Sequence, residues 1–164
     1  MGEPMESNEM LVLDRAACLD KLASARLGRV GITSGALPMV LPVLYRLDGD
    51  RILIRCPEDS ALMSALDRCV VAFEVDAIGG EDEPARGWSV VVTGMARALA
   101  PDAVEVDPWS IPSHPLLPRA GRVVEIRTDR MTGREVSPPD GAPAQSPPMW
   151  GTDSPAGRSV PGGT

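Results

Sequence analysis

The amino-acid sequence predicts a mainly β fold: a small six-stranded antiparallel barrel with a few helices. Aliphatic and β-branched residues are concentrated in about six extended segments, several of them joined by tight turns. Helical spacing of apolar residues occurs at only two places, so the chain lacks the strand and helix alternation of a parallel sheet. Closing such a sheet into a barrel also removes its exposed edges.

The first predicted element is a helix in "LDRAACLDKLASARLG", with Gly28 as its stop signal. Its apolar residues repeat at helical spacing and define the face that is expected to pack on the barrel. They are Leu13, Ala16, Ala17, Leu19 and Leu22.

Three extended segments follow, in "GRVGIT" and "ALPMVLPVLYRLDGDRILIR". Ser34 and Gly35 predict one turn, and residues 48–50 predict a tight hairpin. Pro38 and Pro42 carry no backbone donor, so their segment is expected at a sheet edge or at a bulge.

The second half of the chain supplies the remaining elements. The segment "EDSALMSALDR" predicts a short helix capped by Asp59 or Ser60, and "CVVAFEVD" predicts a buried strand. A long strand is expected in "GWSVVVTGMARAL", where Gly94 marks a bulge or the close approach of another backbone. A proline-rich loop then leads to the last strand, in "RVVEIRTDRM".

The barrel domain is expected to span residues 13–136. Residues 1–12 are interpreted as a flexible acidic leader. Residues 137–164 are mostly Pro, Gly, Ser, Ala and Thr, and their few large apolar side chains cannot offset the entropy of ordering. They predict a disordered tail in which Trp150 is exposed.

The composition and the net charge argue against several classes of function. The net charge of −7 argues against a nucleic-acid partner. No apolar run reaches the roughly 18 residues of a membrane helix, and no secretory signal precedes the first helix, so a cytoplasmic protein is expected. The three cysteines are predicted to be reduced thiols. No hydrolase or nucleotide-binding signature occurs, so an enzymatic activity would depend on a cofactor.

Four segments resemble the pyridoxamine 5′-phosphate oxidase-like family of FMN-binding split β-barrel proteins. They are "RLGRVGIT…LPMVLPVLYRLDGDRILIRC", "VVAFEVD", "GWSVVVTGMARAL" and "VVEIRTDRMTGR", and the likeness spans residues 14–134. The resemblance implies a homodimer of barrels with FMN in two equivalent clefts at the subunit interface. It also implies a flavin-dependent oxidoreductase acting on a small, unidentified substrate.

The same resemblance implies a set of cofactor-binding residues. The set is Pro42, Val43, Leu44, Tyr45, Arg55, Cys56, Ser60 and Trp88. The first four would run along the flavin ring, and Arg55 with Ser60, at the end of the next strand and the corner after it, would hold the phosphate. Trp88 would pack near the cofactor or across the dimer interface.

This chain departs from the family at three of the implied positions. Ala61 stands where relatives carry a lysine, and Asp59 stands where they carry a glycine; both changes oppose phosphate binding. Leu44 replaces a polar residue, so only backbone contacts with the ring would persist there. Arg29, Arg46 or the amides at the start of the second helix are candidates to compensate.

Each residue also has a structural alternative, so several functions stay open. Arg55 could form a surface ion pair with Glu58 or Asp59, Tyr45 could be a half-buried strand residue, and Trp88 could serve strand packing. Besides the oxidoreductase, the sequence allows a flavin- or deazaflavin-binding module without turnover. It equally allows a flavin-free dimeric scaffold, which Ala61 and Asp59 favour.

Overall fold

The computed structural model describes residues 9–58, 60–79, 86–103, 107, 110–112 and 121–137. In chain order the elements are β1 (Glu9–Leu13), α1 (Arg15–Ser24), β2 (Leu27–Ser34), β3 (Leu37–Asp48), β4 (Arg51–Cys56), α2 (Ala61–Leu66), β5 (Cys69–Ile78), β6 (Gly87–Ala98), β7 (Arg122–Arg127) and β8 (Arg130–Ser137). A single 3₁₀ turn, Pro101–Ala103, follows β6. Asp59 and the predicted tail beyond Ser137, including Trp150, lie outside the described residues.

Six strands close into an antiparallel barrel in the order β2, β3, β4, β7, β6, β5 and back to β2. Strand β6 makes the closure possible because it has two partners along one edge. Its residues 87–93 pair with β8, whereas residues 96–98 pair with β7. Strands β8 and β1 therefore extend the sheet beyond the barrel, and the predicted mainly β barrel is confirmed.

Gly94 lies where the partner of β6 changes from β7 to β8. A Cβ atom at this position would lie 1.7 Å from the carbonyl oxygen of Arg127. No side chain fits such an approach, so the chain can bend from β7 into β8 against β6 only at a glycine. The predicted close approach at Gly94 is confirmed.

The prolines of β3 lie on an edge, as predicted. Residues 37–44 pair with β2 on one side, and the ladder with β4 covers only residues 45–48. In the described part of the chain no strand borders residues 37–44 on their second side. The missing backbone donors of Pro38 and Pro42 are therefore tolerated.

Helix α1 begins at the predicted place and packs most of the predicted face on the core. Asp14 caps it by accepting a hydrogen bond from the Ala17 amide at 2.8 Å. Leu22 is buried, and Leu13 and Leu19 pack against the core, whereas Ala16, also predicted to face the core, is exposed. Cys18 is buried on this face as well, because a thiol buries as readily as a small aliphatic side chain.

Gly28 does not end helix α1, which stops at Ser24. It lies in β2 instead, where an added Cβ atom would approach Phe73 Cζ to 2.3 Å. Its small size therefore serves the packing of the Phe73 ring inside the barrel rather than a helix terminus.

Residues 9–12, assigned by the sequence to a flexible leader, form most of strand β1. They pair with β8 through the backbone, in a register that sets Glu9 opposite Ser137 and Leu13 opposite Gly133. Met10, Leu11 and Val12 are exposed, so no alternation of buried and exposed residues signalled this strand. Strand β1 is therefore specified by its backbone pairing with β8 and not by a pattern in its own sequence.

The three cysteines are free thiols, as predicted; Cys18 and Cys56 are buried and Cys69 is half-buried. Within the described ranges, no helix has the length and apolar character needed to cross a membrane.

Candidate functional site

Strands β3 and β4 present two arginines on the outer face of the barrel. Alternate residues of β4, Ile54 and Cys56 among them, point into the core, which directs Leu53 and Arg55 outward. Arg46 of β3 is paired with Leu53, so it lies on the same outer face. The Cα atoms of Arg46 and Arg55 are diagonal neighbours, about 7 to 8 Å apart. The two arginines therefore flank Leu53.

Ile111, in the connection between β6 and β7, packs on this face. Ile111 is 1% exposed and packs with Leu53 and Val123 in a small cluster separate from the barrel core. Its neighbour Ser110 accepts a hydrogen bond from the Arg46 guanidinium and donates one to the Asp107 carbonyl at 2.6 Å. Packing of one isoleucine thus sets the surroundings of Arg46.

Beside Arg46 is a cleft of about 380 Å³, which we call the Arg26–Arg46 cleft. Its described lining residues are Ala23, Ala25, Arg26, Tyr45, Arg46, Leu47, Gly49, Ser110 and Pro112. None of these carries a carboxylate. In a chain with a net charge of −7, this cleft is a local concentration of positive charge.

Several arginines elsewhere on the barrel form ion pairs with acidic residues. Arg29 bonds Asp76 and, at 3.0 Å, Glu74, and these hydrogen bonds raise its pKa above the usual arginine value. A second cleft, of about 460 Å³, has no excess of positive charge, because each of its three arginines is paired with one of its three acidic residues. The pairs are Arg15 with Asp50, Arg51 with Glu125 and Arg127 with Asp129. Arg29, one candidate to compensate for Ala61, is therefore already engaged.

The family model for pyridoxamine 5′-phosphate oxidase matches residues 14–135. This match covers most of the chain and all six strands of the barrel. The chain belongs to this family. The resemblance noted in the sequence is confirmed.

A relative similar to this chain is an uncharacterized protein of Mycobacterium tuberculosis. It is 34% identical over 140 residues, which cover 80% of this chain and 89% of that protein. Among solved structures, an FAD binding protein of Mycobacterium smegmatis is 27% identical with a TM-score of 0.60, covering 77% of this chain and 98% of that one. A Corynebacterium glutamicum protein provisionally named a pyridoxamine 5′-phosphate oxidase is 26% identical with a TM-score of 0.67, covering 79% and 99%.

Of the cofactor-binding residues that the resemblance implies, three have side chains that point into the barrel core. Val43, Tyr45 and Cys56 are all buried. The Tyr45 hydroxyl donates to the Leu22 carbonyl at 2.5 Å, and its ring meets the Phe73 ring edge to face, with centroids 5.0 Å apart. These three residues can offer a ligand only their backbone. Their side chains build the core.

Ser60 uses its hydroxyl as the cap of helix α2. The hydroxyl accepts from the Met63 amide at 3.1 Å and donates to the Pro57 carbonyl at 2.7 Å. It also lies 3.3 Å from the Cys56 thiol, on the inner side of β4, whereas Arg55 points outward. A hydroxyl has one donor and two acceptor positions, so these contacts fill its capacity. The Ser60 hydroxyl is therefore engaged within its own corner of the chain.

Trp88 lies at the far end of β6 from Arg55. In the ladder between β4 and β7, Arg55 lies opposite Val123. The next residue of β7, Val124, lies opposite Ala98 at the end of β6. Ten residues of extended strand separate Trp88 from Ala98, a distance of about 33 Å. Trp88 is half-buried and stacks under Lys21, whose Nζ lies 5.4 Å from the ring centroid. Trp88 therefore does not share a site with Arg55 within one subunit.

Replacing Tyr45 with Phe tests the core role of this residue. Losing the hydroxyl leaves the buried Leu22 carbonyl without its donor, so the free energy of unfolding is expected to fall by about 1 to 3 kcal/mol. Urea unfolding of Tyr45→Phe and wild type at neutral pH measures this difference. A wild-type value for the variant would contradict the hydrogen bond to Leu22.

Tyr45 also predicts a dependence of stability on alkaline pH. Burial raises the pKa of Tyr45 from 10.0 to about 12. Because the folded state holds this proton more tightly, the contribution is complete below pH 10 and is lost as the pH rises toward 12. Tyr45 is the only tyrosine in the chain, so the absorbance of tyrosinate reports its titration directly. The difference in stability between wild type and Tyr45→Phe should shrink over this pH range.

Proposed function

We propose that the chain binds a flavin nucleotide on the outer face of β3 and β4 and acts as a flavin-dependent oxidoreductase on a small substrate. The observation that carries this proposal is the pair of outward arginines, Arg46 and Arg55, on either side of Leu53. Membership of the pyridoxamine 5′-phosphate oxidase family and similarity to an FAD binding protein support a flavin as the ligand. FMN is the proposed minimal cofactor.

The residues on this face fit a flavin nucleotide. A guanidinium carries five N–H donors, and among the described residues Ser110 is the hydrogen-bond partner of the Arg46 guanidinium, so donors are left for a phosphate. Arg46 would thereby supply the positive charge that Ala61 no longer offers. The open edge of β3 at Pro42 and Leu44 presents backbone groups and apolar surface for a planar ring.

In this arrangement the flavin supplies the transfer of hydride or single electrons when it is bound. The chain's own contribution is to hold and orient it. Arg46 and Arg55 would bind the phosphate, Leu53 and Ile111 would keep water away beside them, and the β3 edge would hold the ring. Proline at position 42 leaves one backbone position of this edge unable to donate a hydrogen bond.

The proposed working unit is a homodimer. Val40, Val70, Val91 and Met95 lie exposed on the outer side of strands β3, β5 and β6, around Gly31 and Ala72. We call this surface the outer apolar face. Exposed apolar side chains grouped on one face of a sheet favour a protein interface, and two-fold pairing of identical subunits is the commonest way to cover it.

Replacing Arg55 with Ala is expected to weaken FMN binding by roughly 10- to 100-fold, because a charge-assisted hydrogen bond contributes about 1.5 to 3 kcal/mol. The measurement is quenching of FMN fluorescence on titration with the purified protein. Arg127→Ala is the matched control, since Arg127 lies on neighbouring β7 but lines the acid-balanced cleft. It should bind FMN like wild type.

Two results would contradict the oxidoreductase proposal in different ways. A colourless wild-type protein that quenches neither FMN nor FAD would identify a flavin-free scaffold, the function that Ala61 favours. Binding of a deazaflavin but not of FMN or FAD would identify a deazaflavin-binding module. Equal loss of FMN binding in Arg55→Ala and Arg127→Ala would show that the phosphate is not held at Arg55.

A further inference from the structure

Strands β8 and β1 lie outside the closed barrel and continue the sheet from residues 87–93 of β6. We call these two strands the β8–β1 extension. Val12 on β1 is paired with Arg134 on β8, and both side chains are exposed on the outer side of the sheet. Val12 is 73% exposed, so its own barrel gains little from an apolar residue at this position.

Opposite charges lie on either side of β6 on this outer side. One row of side chains crosses the sheet through three ladders; in order it contains Val12, Arg134, Ser89 and Asp76. Adjacent strands are about 4.8 Å apart, so Arg134 and Asp76 are separated by roughly 10 Å with Ser89 midway between them. Strand β8 therefore presents a cation and β5 presents an anion at equal distances from β6.

The anionic side keeps a net negative charge although it contains an arginine. Arg29 is shared by Asp76 and by Glu74, which it bonds at 3.0 Å. Two carboxylates and one guanidinium leave a net charge of −1. On the cationic side, Arg130 of β8 is exposed two ladder positions beyond Thr132. The outer side is therefore complementary in charge to a copy of itself.

We infer that two copies pair through this outer side about a two-fold axis parallel to β6, so that Arg134 of each copy forms an ion pair with Asp76 of the other. The inference rests on the homodimer of the proposed function and names the contact that sets its register. Such an axis lays β8 of each copy on β5 of the other, and it sets Val91 and Met95 of β6 against their own counterparts. An axis along β5 would instead bring the carboxylates of the two copies together, which like charges oppose.

The shape of the sheet fits the same pairing. At β6 the sheet divides, because β7 continues the barrel whereas β8 leaves it. The β8–β1 extension therefore projects past the curved wall of its own barrel, and the two-fold axis places it over β5 and β2 of the second copy. Each extension covers the barrel of the other copy.

This pairing also gives the exposed strand β1 a contact. Arg29 is paired with Glu74, so the register carries the row of Asp76 on to Leu27 of β2. Leu27 is 54% exposed and is paired with Leu44 of β3. Val12 of the second copy would pack on Leu27, beside the β3 edge that we propose for the flavin ring. The second copy thus contributes an apolar residue to the wall of that site.

Reversing either charge tests the pairing. Arg134→Glu and Asp76→Arg each turn both contacts of the dimer into like-charge pairs, and the dissociation constant is expected to rise roughly a hundredfold. Sedimentation equilibrium measures it, and far-ultraviolet circular dichroism checks the fold. Arg127→Glu is the control, because it reverses an exposed arginine on β7, on the other side of β6, and should dimerise like wild type.

Mixing the two reversed variants gives the decisive result. In a heterodimer of Arg134→Glu with Asp76→Arg, the introduced glutamate faces the introduced arginine, and the second contact keeps its native Arg134 and Asp76. The mixture is expected to form heterodimers with about the wild-type affinity, although each variant alone is monomeric. Arg134→Lys keeps the charge and should remain dimeric, so the effect of Arg134→Glu is assigned to charge even if Asp76→Arg does not fold.

The contrary outcomes are distinguishable. A wild-type chain that is monomeric at all concentrations would overturn the homodimer and this pairing with it. A wild-type dimer that both reversals leave intact would show that the interface lies elsewhere. Reversed variants that are monomeric and stay so when mixed would overturn the ion pair between Arg134 and Asp76. Mass is the readout, so a protein that binds no flavin would overturn the flavin proposal and leave this inference standing.

Discussion

Gly94→Ala is expected to leave little folded protein. The added methyl carbon would lie 1.7 Å from the Arg127 carbonyl oxygen and 2.8 Å from its carbonyl carbon. Both atoms belong to the backbone, so no side chain can rotate away, and β6 must separate from the bend between β7 and β8. That bend closes the barrel. A loss of more than about 4 kcal/mol is expected, a large part of the roughly 5 to 15 kcal/mol that stabilises a typical domain.

The measurement is the yield of soluble protein and the midpoint of thermal unfolding, followed by far-ultraviolet circular dichroism. Gly87→Ala is the control on the same strand, because the added Cβ atom would lie 3.2 Å from the Ala77 carbonyl oxygen, a contact that a shift of a few tenths of an ångström relieves. The control is expected to change the stability by at most about 1 kcal/mol. A Gly94→Ala protein as stable as the control would show that β6 and β7 do not approach as described.

Local chemistry in the sequence was enough to predict most of the barrel. The turns at Gly35 and Gly49, the edge position of Pro38 and Pro42, and the close approach at Gly94 follow from what one residue permits its own backbone to do. These properties do not depend on knowing the partner strand. Predictions of this kind were confirmed.

Strand β1 could not be predicted in the same way, and the buried face of α1 could be predicted only in part. Strand β1 exists because its backbone pairs with β8, a strand more than a hundred residues later in the chain. Helix α1 has only two fully buried residues, Cys18 and Leu22, so its amphipathic signal is weak. Both features depend on contacts between distant segments, which a single sequence does not reveal.

The residues of the candidate site also divide into those that the sequence indicates and those that only the fold brings together. Arg55 could be named from the sequence because the chain resembles the family where β4 ends, and Arg46 could be named as a candidate to compensate for Ala61. Arg26 could not, because its cleft forms only where the end of α1, the β3–β4 hairpin and the loop held by Ile111 meet. The hydroxyl of Ser60 was predicted to bind phosphate, yet its helix-capping contacts became visible only in three dimensions.

The outer apolar face connects the fold to the proposed function. Gly31 of β2 lies between Val40 of β3 and Ala72 of β5, which are its partners in the two ladders. Val70 lies two residues from Ala72, on the same side of β5. Val40 and Val70 are 66% and 65% exposed, and their neighbours Gly31 and Ala72 are small. The small residues leave a flat surface on which a second barrel can pack closely. The open edge of β3, where the flavin ring is proposed to lie, borders this surface.

Val70→Asp is accordingly expected to convert the proposed dimer into monomers and to release the proposed flavin. A two-fold interface contains the substitution twice, and burying an unpaired carboxylate is costly, so a loss of about 4 kcal/mol or more is expected. That loss raises the dissociation constant of the dimer roughly a thousandfold. The fold itself should survive because Val70 contributes little to the core of a single barrel. Size-exclusion chromatography with light scattering measures the mass, and visible absorbance of the same peak measures bound flavin.

Ile78→Asp provides the matched control. Ile78 lies on the same strand and is 76% exposed, but eight residues of β5 separate it from Val70, a distance of about 26 Å. It should remain dimeric and yellow, since it lies beyond the surface centred on Gly31 and Ala72. If Val70→Asp remained a dimer, the interface would lie elsewhere on the barrel. If Val70→Asp became a monomer that still held its flavin, the cofactor would be bound within one subunit, because the residues that contact it would then all come from a single chain.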